Sequence, residues 1–328
     1  MVSAAKVFVT RALPGPALAQ LAEHTRMECW DGAAPISPAQ LREKLSDCDG
    51  LLCILTDRID AALLQAAPKL KVVSSCSVGV DHVDLAALNQ RRIPLGYTPG
   101  VLVDATADLT FALLLSAARR LPEGEAFMRA GAWTPARRWE PDLLLGKDLR
   151  GATLGLIGLG AIGQAVAQRA QGFGLKVIGW TPSGRAVDGV ESASFDEVLE
   201  RADFLSLHLA LSARSAKIIN AQALAKMKAD AILINSARGG LIDEAALINA
   251  LRDGRIGGAA LDVYAQEPVA ADHPLLALPN VVIAPHIGSA TLGTRSRMAQ
   301  LAVDNLLAGL AQEPMPHCYN AGALGDTP

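Results

Sequence analysis

Short apolar runs alternate along this chain with longer segments whose apolar positions recur at helical spacing, the pattern of buried parallel strands and amphipathic helices. Lys6–Thr10, Met27–Trp30, Gly50–Leu55 and Lys71–Ser75 read as strands, and Pro14–Glu23, Pro38–Leu45 and Ala61–Ala66 as the helices between them. His82 is placed at the start of a further helix. Such alternation predicts an α/β domain with a doubly wound parallel sheet. It closes near Tyr97-Thr98-Pro99-Gly100, after which Val103–Arg120 and Glu123–Ala130 read as helices. The first of these is apolar around most of its circumference and must be buried.

A second alternating series predicts strands at Thr153–Ile157, Lys176–Trp180, Phe204–Leu207, Ala231–Asn235, Ala259–Asp262 and Val281–Ile283, enough for a six-stranded dinucleotide-binding sheet. The last long helix, Thr291–Leu310, has no strand partner of its own there. Returning it to the first domain gives two Rossmann-like domains, residues 1–100 with 290–328 and residues 101–289, and an active-site cleft at the double crossing. The tail from Asn320, small and polar, is expected to be loosely ordered.

Composition narrows the function. An apolar content of 51% over 328 residues supplies two cores, and a net charge of −3 with no basic stripe argues against a nucleic-acid partner. Cys29, Cys48, Cys53, Cys76 and Cys318 form no C-x-x-C pair, so neither a metal site nor a disulfide framework is expected. The start of the chain lacks the apolar core of a signal peptide, and Asp104 and Asp108 interrupt the most apolar later stretch. A cytoplasmic enzyme of a small molecule, with no membrane partner, is the expectation.

The chemistry centres on Gly158-x-Gly160-x-x-Gly163, placed between the apolar strand Thr153–Ile157 and helical spacing from Gln164 to Phe173. All three glycines are expected in the connecting turn: Gly158 for the tight bend, Gly160 for close approach of a pyrophosphate, Gly163 for packing of helix on sheet. The helix N-terminus then faces the phosphates. Three charged groups follow at successive strand ends: Arg238 in Asn235-Ser236-Ala237-Arg238-Gly239, Glu267 before Pro268, and His286 in Pro285-His286-Ile287-Gly288. Hydride transfer to a 2-keto acid needs such a set. Arg238 can hold the substrate carboxylate, His286 can exchange a proton with the carbonyl oxygen, and Glu267 can orient the imidazole and favour its charged form. Trp133 and Trp139, in a loop with Pro135 and Pro141, suit an interface or a fold-back onto their own domain.

These motifs, with Ser77-Val78-Gly79-Val80-Asp81-His82, Gly96-Tyr97-Thr98-Pro99 and Leu261-Asp262-Val263, resemble the NAD(P)-dependent D-2-hydroxyacid dehydrogenases over nearly the whole chain. Within that family the resemblance is strongest to the subgroup that reduces glyoxylate and hydroxypyruvate. It implies catalytic roles for Arg238, Glu267 and His286, and substrate contacts at Leu55, the backbone of Val78 and Gly79, Ser289, Arg238 and His286. It implies cofactor contacts at Thr106, Ala161, Ile162, Ala210, Ser215, Ser236, Ala237, Asp262 and Gly288 beside the glycine fingerprint. It further implies a homodimer built on residues 101–150, with Trp139, or secondarily Trp133, closing the partner's site. Asp108, where the family usually has Glu, and Ala210, where a proline is common, are departures expected to alter local cofactor contacts.

Cofactor choice follows from charge. An NAD-specific unit carries an acidic residue about 18 positions past the last glycine, where it grips the ribose 2′-hydroxyl. Here Thr181 stands at that position, with Ser183 and Arg185 following. NADPH is therefore preferred, with NADH possible as a second cofactor. The expected activity is NADPH-driven reduction of glyoxylate and hydroxypyruvate to glycolate and D-glycerate. A dehydrogenase for a bulkier 2-keto acid and a dinucleotide-sensing corepressor-like binding protein are the alternatives.

Overall fold

The computed structural model describes residues 4–325 and separates into two compact units, Met1–Leu102 with Ser289–Pro328, and Val103–Gly288. Each is an α/β unit with an entirely parallel sheet.

The first unit runs β1 (Lys6–Val9), α1 (Ala17–His24), β2 (Arg26–Cys29), α2 (Pro38–Leu45), β3 (Gly50–Cys53), α3 (Ala61–Ala66), β4 (Val72–Ser75), α4 (Leu85–Gln90) and β5 (Leu95–Gly96). Its strand order is β2-β1-β3-β4-β5. Phe8, Leu45, Leu51, Leu64 and Leu95, none more than 1% exposed, fill the core on one face. Local chemistry sets the helix starts. A capping box of Ser37 and Gln40 opens α2, and the Asp60 side chain accepts from Leu63 N–H to open α3. The first helix begins three residues later than its periodicity predicts, because Gly15 takes a left-handed φ of 87° and Pro16 becomes the cap. His82 does not begin a helix: α4 starts at Leu85 under Asp84, and the His82 ring instead meets Ser75 Oγ at 3.0 Å in the preceding turn.

The long helix Leu292–Ala311 belongs to this unit. It buries Met298, Ala299, Ala302, Val303 and Leu306, and the Ser74 hydroxyl donates to the Ala302 carbonyl at 2.7 Å. The expectation of a loose tail from Asn320 is corrected. Asn320 is buried, accepts from Leu95 N–H and donates to Asn89 and Ile93, while Ala321–Leu324 forms a short helix. Satisfying a buried amide from three sides is what orders a polar residue here. The last three residues of that tail lie outside the described residues.

The second unit begins with α5 (Val103–Ala118) and α6 (Leu121–Arg129) and continues through β6 (Thr153–Ile157), α7 (Ala161–Gly172), β7 (Lys176–Trp180), β8 (Glu191–Ser192), α8 (Phe195–Arg201), β9 (Phe204–Leu207), α9 (Ala221–Lys226), β10 (Ile232–Asn235), α10 (Glu244–Arg252), β11 (Gly258–Leu261) and β12 (Val281–Ile283). The strand order is β12-β11-β10-β9-β6-β7-β8. Seven strands replace the six expected, since the short exposed pair Glu191-Ser192 adds an edge to β7 that no apolar run betrays. The apolar helix α5 is buried as its pattern demands: Ala107, Phe111, Leu113 and Leu114 pack with Leu154, Leu156, Phe204 and Ile234. Its two acidic interruptions face outward, where Arg169 pairs with Asp108 at 2.7 Å and Asp104 at 3.1 Å.

Strand order in this unit reverses between β6 and β9, which places a crevice at the C-terminal ends of those two strands. No helix among the described residues is long and apolar enough to cross a membrane.

Candidate active site

The glycine fingerprint lies at that reversal. Gly158 follows β6 with φ 102°, and a Cβ there would stand 2.5 Å from the His208 carbonyl oxygen at the end of β9. A side chain is excluded on both counts. Gly163 is not in the connecting turn as expected but is the third residue of α7, which starts at Ala161. A Cβ on it would lie 2.2 Å from the Gly158 carbonyl, so glycine lets the first helical turn close directly onto the loop. The helix consequently extends three residues further back than its apolar spacing predicts. Around Gly160, its N-cap, a built Cβ meets nothing within 4 Å, and no side chain caps the helix. An open loop leading to uncapped backbone N–H groups fits a dinucleotide pyrophosphate.

Beyond β7, Thr181 is half-buried and its hydroxyl is 3.3 Å from Ser183 Oγ. Arg185 is exposed and, among the described residues, has no hydrogen-bond or ion-pair partner. Beyond β9, the Ser215 hydroxyl donates to the Ala210 carbonyl at 2.7 Å and ties off the loop that lacks the usual proline. His208 has its Nε2 2.9 Å from Ser206 Oγ, and burial lowers its pKa to about 4.

The ends of β10, β11 and β12 carry the charged groups. Asn235, fully buried at the end of β10, donates to the Arg238 carbonyl at 2.9 Å and accepts from Ala237 N–H at 3.1 Å, which folds Ser236-Ala237-Arg238 into a fixed turn. The Arg238 guanidinium also donates to the Ala237 carbonyl at 2.8 Å. Ser236 and Thr110 hydroxyls meet at 2.7 Å, anchoring that turn to α5.

Asp262, fully buried after β11, accepts from Ile287 N–H at 2.7 Å and Gly288 N–H at 2.8 Å through its two oxygens. Burial raises its pKa, and those two backbone donors together with the His286 charge pull against the rise. These bonds hold His286 in the left-handed region at φ 54°, where a residue with a Cβ is strained. Thr106 Oγ1 reaches the Gly288 carbonyl at 3.4 Å, so Thr106, Asp262 and Gly288 converge as one group.

His286 Nδ1 lies 2.6 Å from Glu267 Oε2, while Tyr264 N–H donates to Glu267 Oε1 at 2.9 Å. Burial pushes the Glu267 carboxyl up, but the hydrogen bonds from His286 and Tyr264 and the charges of His286 and Arg238 outweigh it and leave the pKa below the usual glutamate value. Arg238, Glu267 and His286 are thus electrically one cluster. With Nδ1 committed to the carboxylate, Nε2 is the ring nitrogen available for proton exchange.

The depressed carboxyl has a measurable consequence. Its charged form is favoured in the folded state, so its contribution to stability is complete above the unfolded-state pKa and is lost as pH falls through the folded one. Urea titrations of the wild type and Glu267→Gln should show the variant losing less stability on acidification below about pH 5. Parallel acid limbs would contradict this.

In the first unit, Leu55 is 37% exposed in the turn after β3, whereas Val78 and Gly79 are half-buried in the loop after β4. β3 ends at Cys53, earlier than its apolar run suggests, because Asp57 accepts from Ile54 N–H at 2.8 Å and closes the turn. Ser289 is half-buried ahead of the long helix. Trp133 and Trp139 are 54% and 79% exposed, and the Trp133 indole N–H donates to the Arg138 carbonyl at 3.1 Å. Sequence reasoning missed Tyr264, whose hydroxyl donates to the Ala284 carbonyl at 3.0 Å and links the Glu267 turn to the segment before His286. It also missed Asn235 and Thr110 as scaffolding, and only their polarity inside apolar segments marks them.

The D-isomer specific 2-hydroxyacid dehydrogenase NAD binding domain matches residues 111–288. A Korarchaeum cryptofilum protein named glyoxylate reductase is 44% identical over 320 residues, covering 96% of each chain. The human glyoxylate reductase/hydroxypyruvate reductase is 43% identical, covering 95% of this chain and 96% of its own. A crystal structure of the NADPH-dependent glyoxylate/hydroxypyruvate reductase of Sinorhizobium meliloti, in complex with NADP and malonate, superposes with a TM-score of 0.85 at 33% identity, covering 96% of this chain and 97% of that one. A nicotinamide-binding sheet matched by the family model and relatives spanning nearly the whole chain lead to one conclusion: the protein belongs to the D-isomer specific 2-hydroxyacid dehydrogenases and is an NAD(P)H-dependent oxidoreductase acting on a hydroxy acid.

Proposed function

We propose that the protein reduces glyoxylate and hydroxypyruvate to glycolate and D-glycerate, with NADPH preferred over NADH. The observation that carries this reading is the 2.6 Å contact of His286 with Glu267 inside the field of Arg238. It assembles a carboxylate binder and a proton carrier at the strand ends of a nicotinamide-binding sheet. The relatives named for these two substrates support the choice among keto acids.

The bound cofactor supplies a hydride. Arg238 binds the substrate carboxylate through its guanidinium and draws electron density from the neighbouring carbonyl. His286 Nε2–H gives its proton to the carbonyl oxygen as the carbonyl carbon is reduced, and takes it back in the reverse direction. Glu267 stabilises the imidazolium and fixes the ring plane. Asp262 holds the backbone of Ile287 and Gly288, so that His286 keeps its strained position. On the substrate side, Leu55, the Val78 and Gly79 N–H groups and Ser289 complete the proposal, and a homodimer would bring in Trp139. Thr181, Ser183 and Arg185 receive the 2′-phosphate, with no carboxylate at Thr181 to repel it.

NADPH oxidation followed at 340 nm with glyoxylate, hydroxypyruvate, pyruvate and phenylpyruvate tests the reading. Fast turnover confined to glyoxylate and hydroxypyruvate is expected. Preference for phenylpyruvate would move the assignment to a bulkier 2-keto acid, and absence of turnover with all four despite cofactor binding would overturn it.

A further inference from the structure

We infer that Glu244 and His273 form a positioning pair that sets the geometry of Glu267 from outside the reacting groups. The inference rests on the catalytic role proposed for Glu267 and His286. Glu244, the first residue of α10, stands under Asp243, whose side chain caps the helix by accepting from Ala246 N–H. Its carboxylate is used twice. One oxygen accepts from Ala265 N–H at 3.1 Å, and the other lies 3.1 Å from His273 Nε2. Both side chains are only 21% exposed.

Ala265 belongs to the turn that carries Glu267. Tyr264 N–H holds one Glu267 oxygen, Glu244 holds the next N–H along, and the Tyr264 hydroxyl ties the same turn to the Ala284 carbonyl. The other Glu267 oxygen is left for His286. His273 is itself oriented, since its Nδ1 accepts from Leu275 N–H at 3.3 Å and the proton therefore sits on Nε2, facing Glu244. The segment between Val263 and Pro274 thus has Glu244 at both shoulders, bonded near its start through Ala265 and near its end through His273. A short hydrogen bond such as that of Glu267 to His286 is sensitive to small displacements of its carboxylate. The hydrogen bonds of Glu244 go to Ala265 and His273 and that of His286 goes to Glu267, so the effect of Glu244 passes through the Glu267 turn.

The test uses Glu244→Ala, Glu244→Gln, His273→Ala, Glu267→Gln and the double variant Glu244→Ala/Glu267→Gln in the full chain, each checked by its thermal melt. Loss of Glu244 should lower kcat roughly tenfold, below the roughly 10²-fold that a 1 Å misplacement of reacting groups can cost, with KM for NADPH unchanged. Glu244→Gln should recover part of this, because its amide oxygen can still accept from Ala265. In the Glu267→Gln background Glu244→Ala should add nothing, the non-additivity expected of residues acting in series. Proton NMR supplies a readout that needs no turnover: the downfield Nδ1–H resonance of His286 should move in Glu244→Ala and His273→Ala and return toward the wild-type position in Glu244→Gln. Unchanged resonance in the folded variants, or additive losses in the double variant, would overturn the inference. A wild type without keto-acid reduction would instead count against the reaction, and the resonance would still decide whether Glu244 braces Glu267.

Discussion

His286→Ala should reduce kcat for glyoxylate by about 10² to 10⁴, the range a positioned general acid contributes, while leaving NADPH binding nearly intact. The separation follows from the fold. His286 is joined to Glu267 at 2.6 Å, whereas the glycine fingerprint that fits a pyrophosphate follows β6 and opens α7. The alanine chain retains the backbone bonds from Ile287 and Gly288 to Asp262, so the loss is of proton transfer and not of the loop. Single-turnover kinetics with a deuterated cofactor would show chemistry as the slowed step. A variant with kcat within a few-fold of wild type would remove His286 as the acid. Glu267→Gln should fall in between, since it keeps a hydrogen-bond acceptor for Nδ1 but no longer stabilises the imidazolium.

Thr181→Asp should reverse the cofactor preference. A carboxylate about 4 Å from a 2′-phosphate costs on the order of 4 kcal/mol at an effective dielectric of about 20, which is about 10³ in kcat/KM for NADPH. The same carboxylate can accept from the 2′-hydroxyl of NADH and should leave that cofactor as good as before or better. The site is prepared for the change: Thr181 directly follows β7 and faces Ser183, and Arg185 is without a partner among the described residues. Comparing kcat/KM for NADPH and NADH in wild type and variant checks it. Equal values for the two cofactors in the wild type would remove the preference proposed, and an unchanged ratio in the variant would place the 2′-phosphate elsewhere.

Much of this molecule is legible along the chain because the central strands of both sheets, β1, β3, β4, β6, β7, β9, β10 and β11, are largely buried. Helices α2 and α3 and strands β6, β7, β9 and β12 fall where the apolar runs put them. In all of these but β12, whose residues are half-buried or exposed, a burial requirement repeats at the period of the element. Arg238, Glu267 and His286 are legible for a related reason: open parallel sheets hold their ligands beyond the C-terminal strand ends, so charges following apolar runs stand out.

What the linear pattern does not carry are interactions between residues far apart in sequence. The edge strand Glu191-Ser192 has no apolar signature, because it pairs only on one side and is exposed. Asn320 looks like the start of a loose tail until its amide is seen to meet Asn89, Ile93 and Leu95. Gly163 reads as part of a turn until the Gly158 carbonyl is found against it inside the helix. The sequence by itself determined six strands of the second sheet, the glycine pattern after β6 and the presence of three charged groups beyond strand ends, since those depend on local period and residue type. Only the tertiary structure decided that Glu267 and Glu244 grip neighbouring parts of one turn and that His286 meets Glu267 through Nδ1. A hydrogen bond depends on distances between strand ends, and those are set by the packing of the whole sheet.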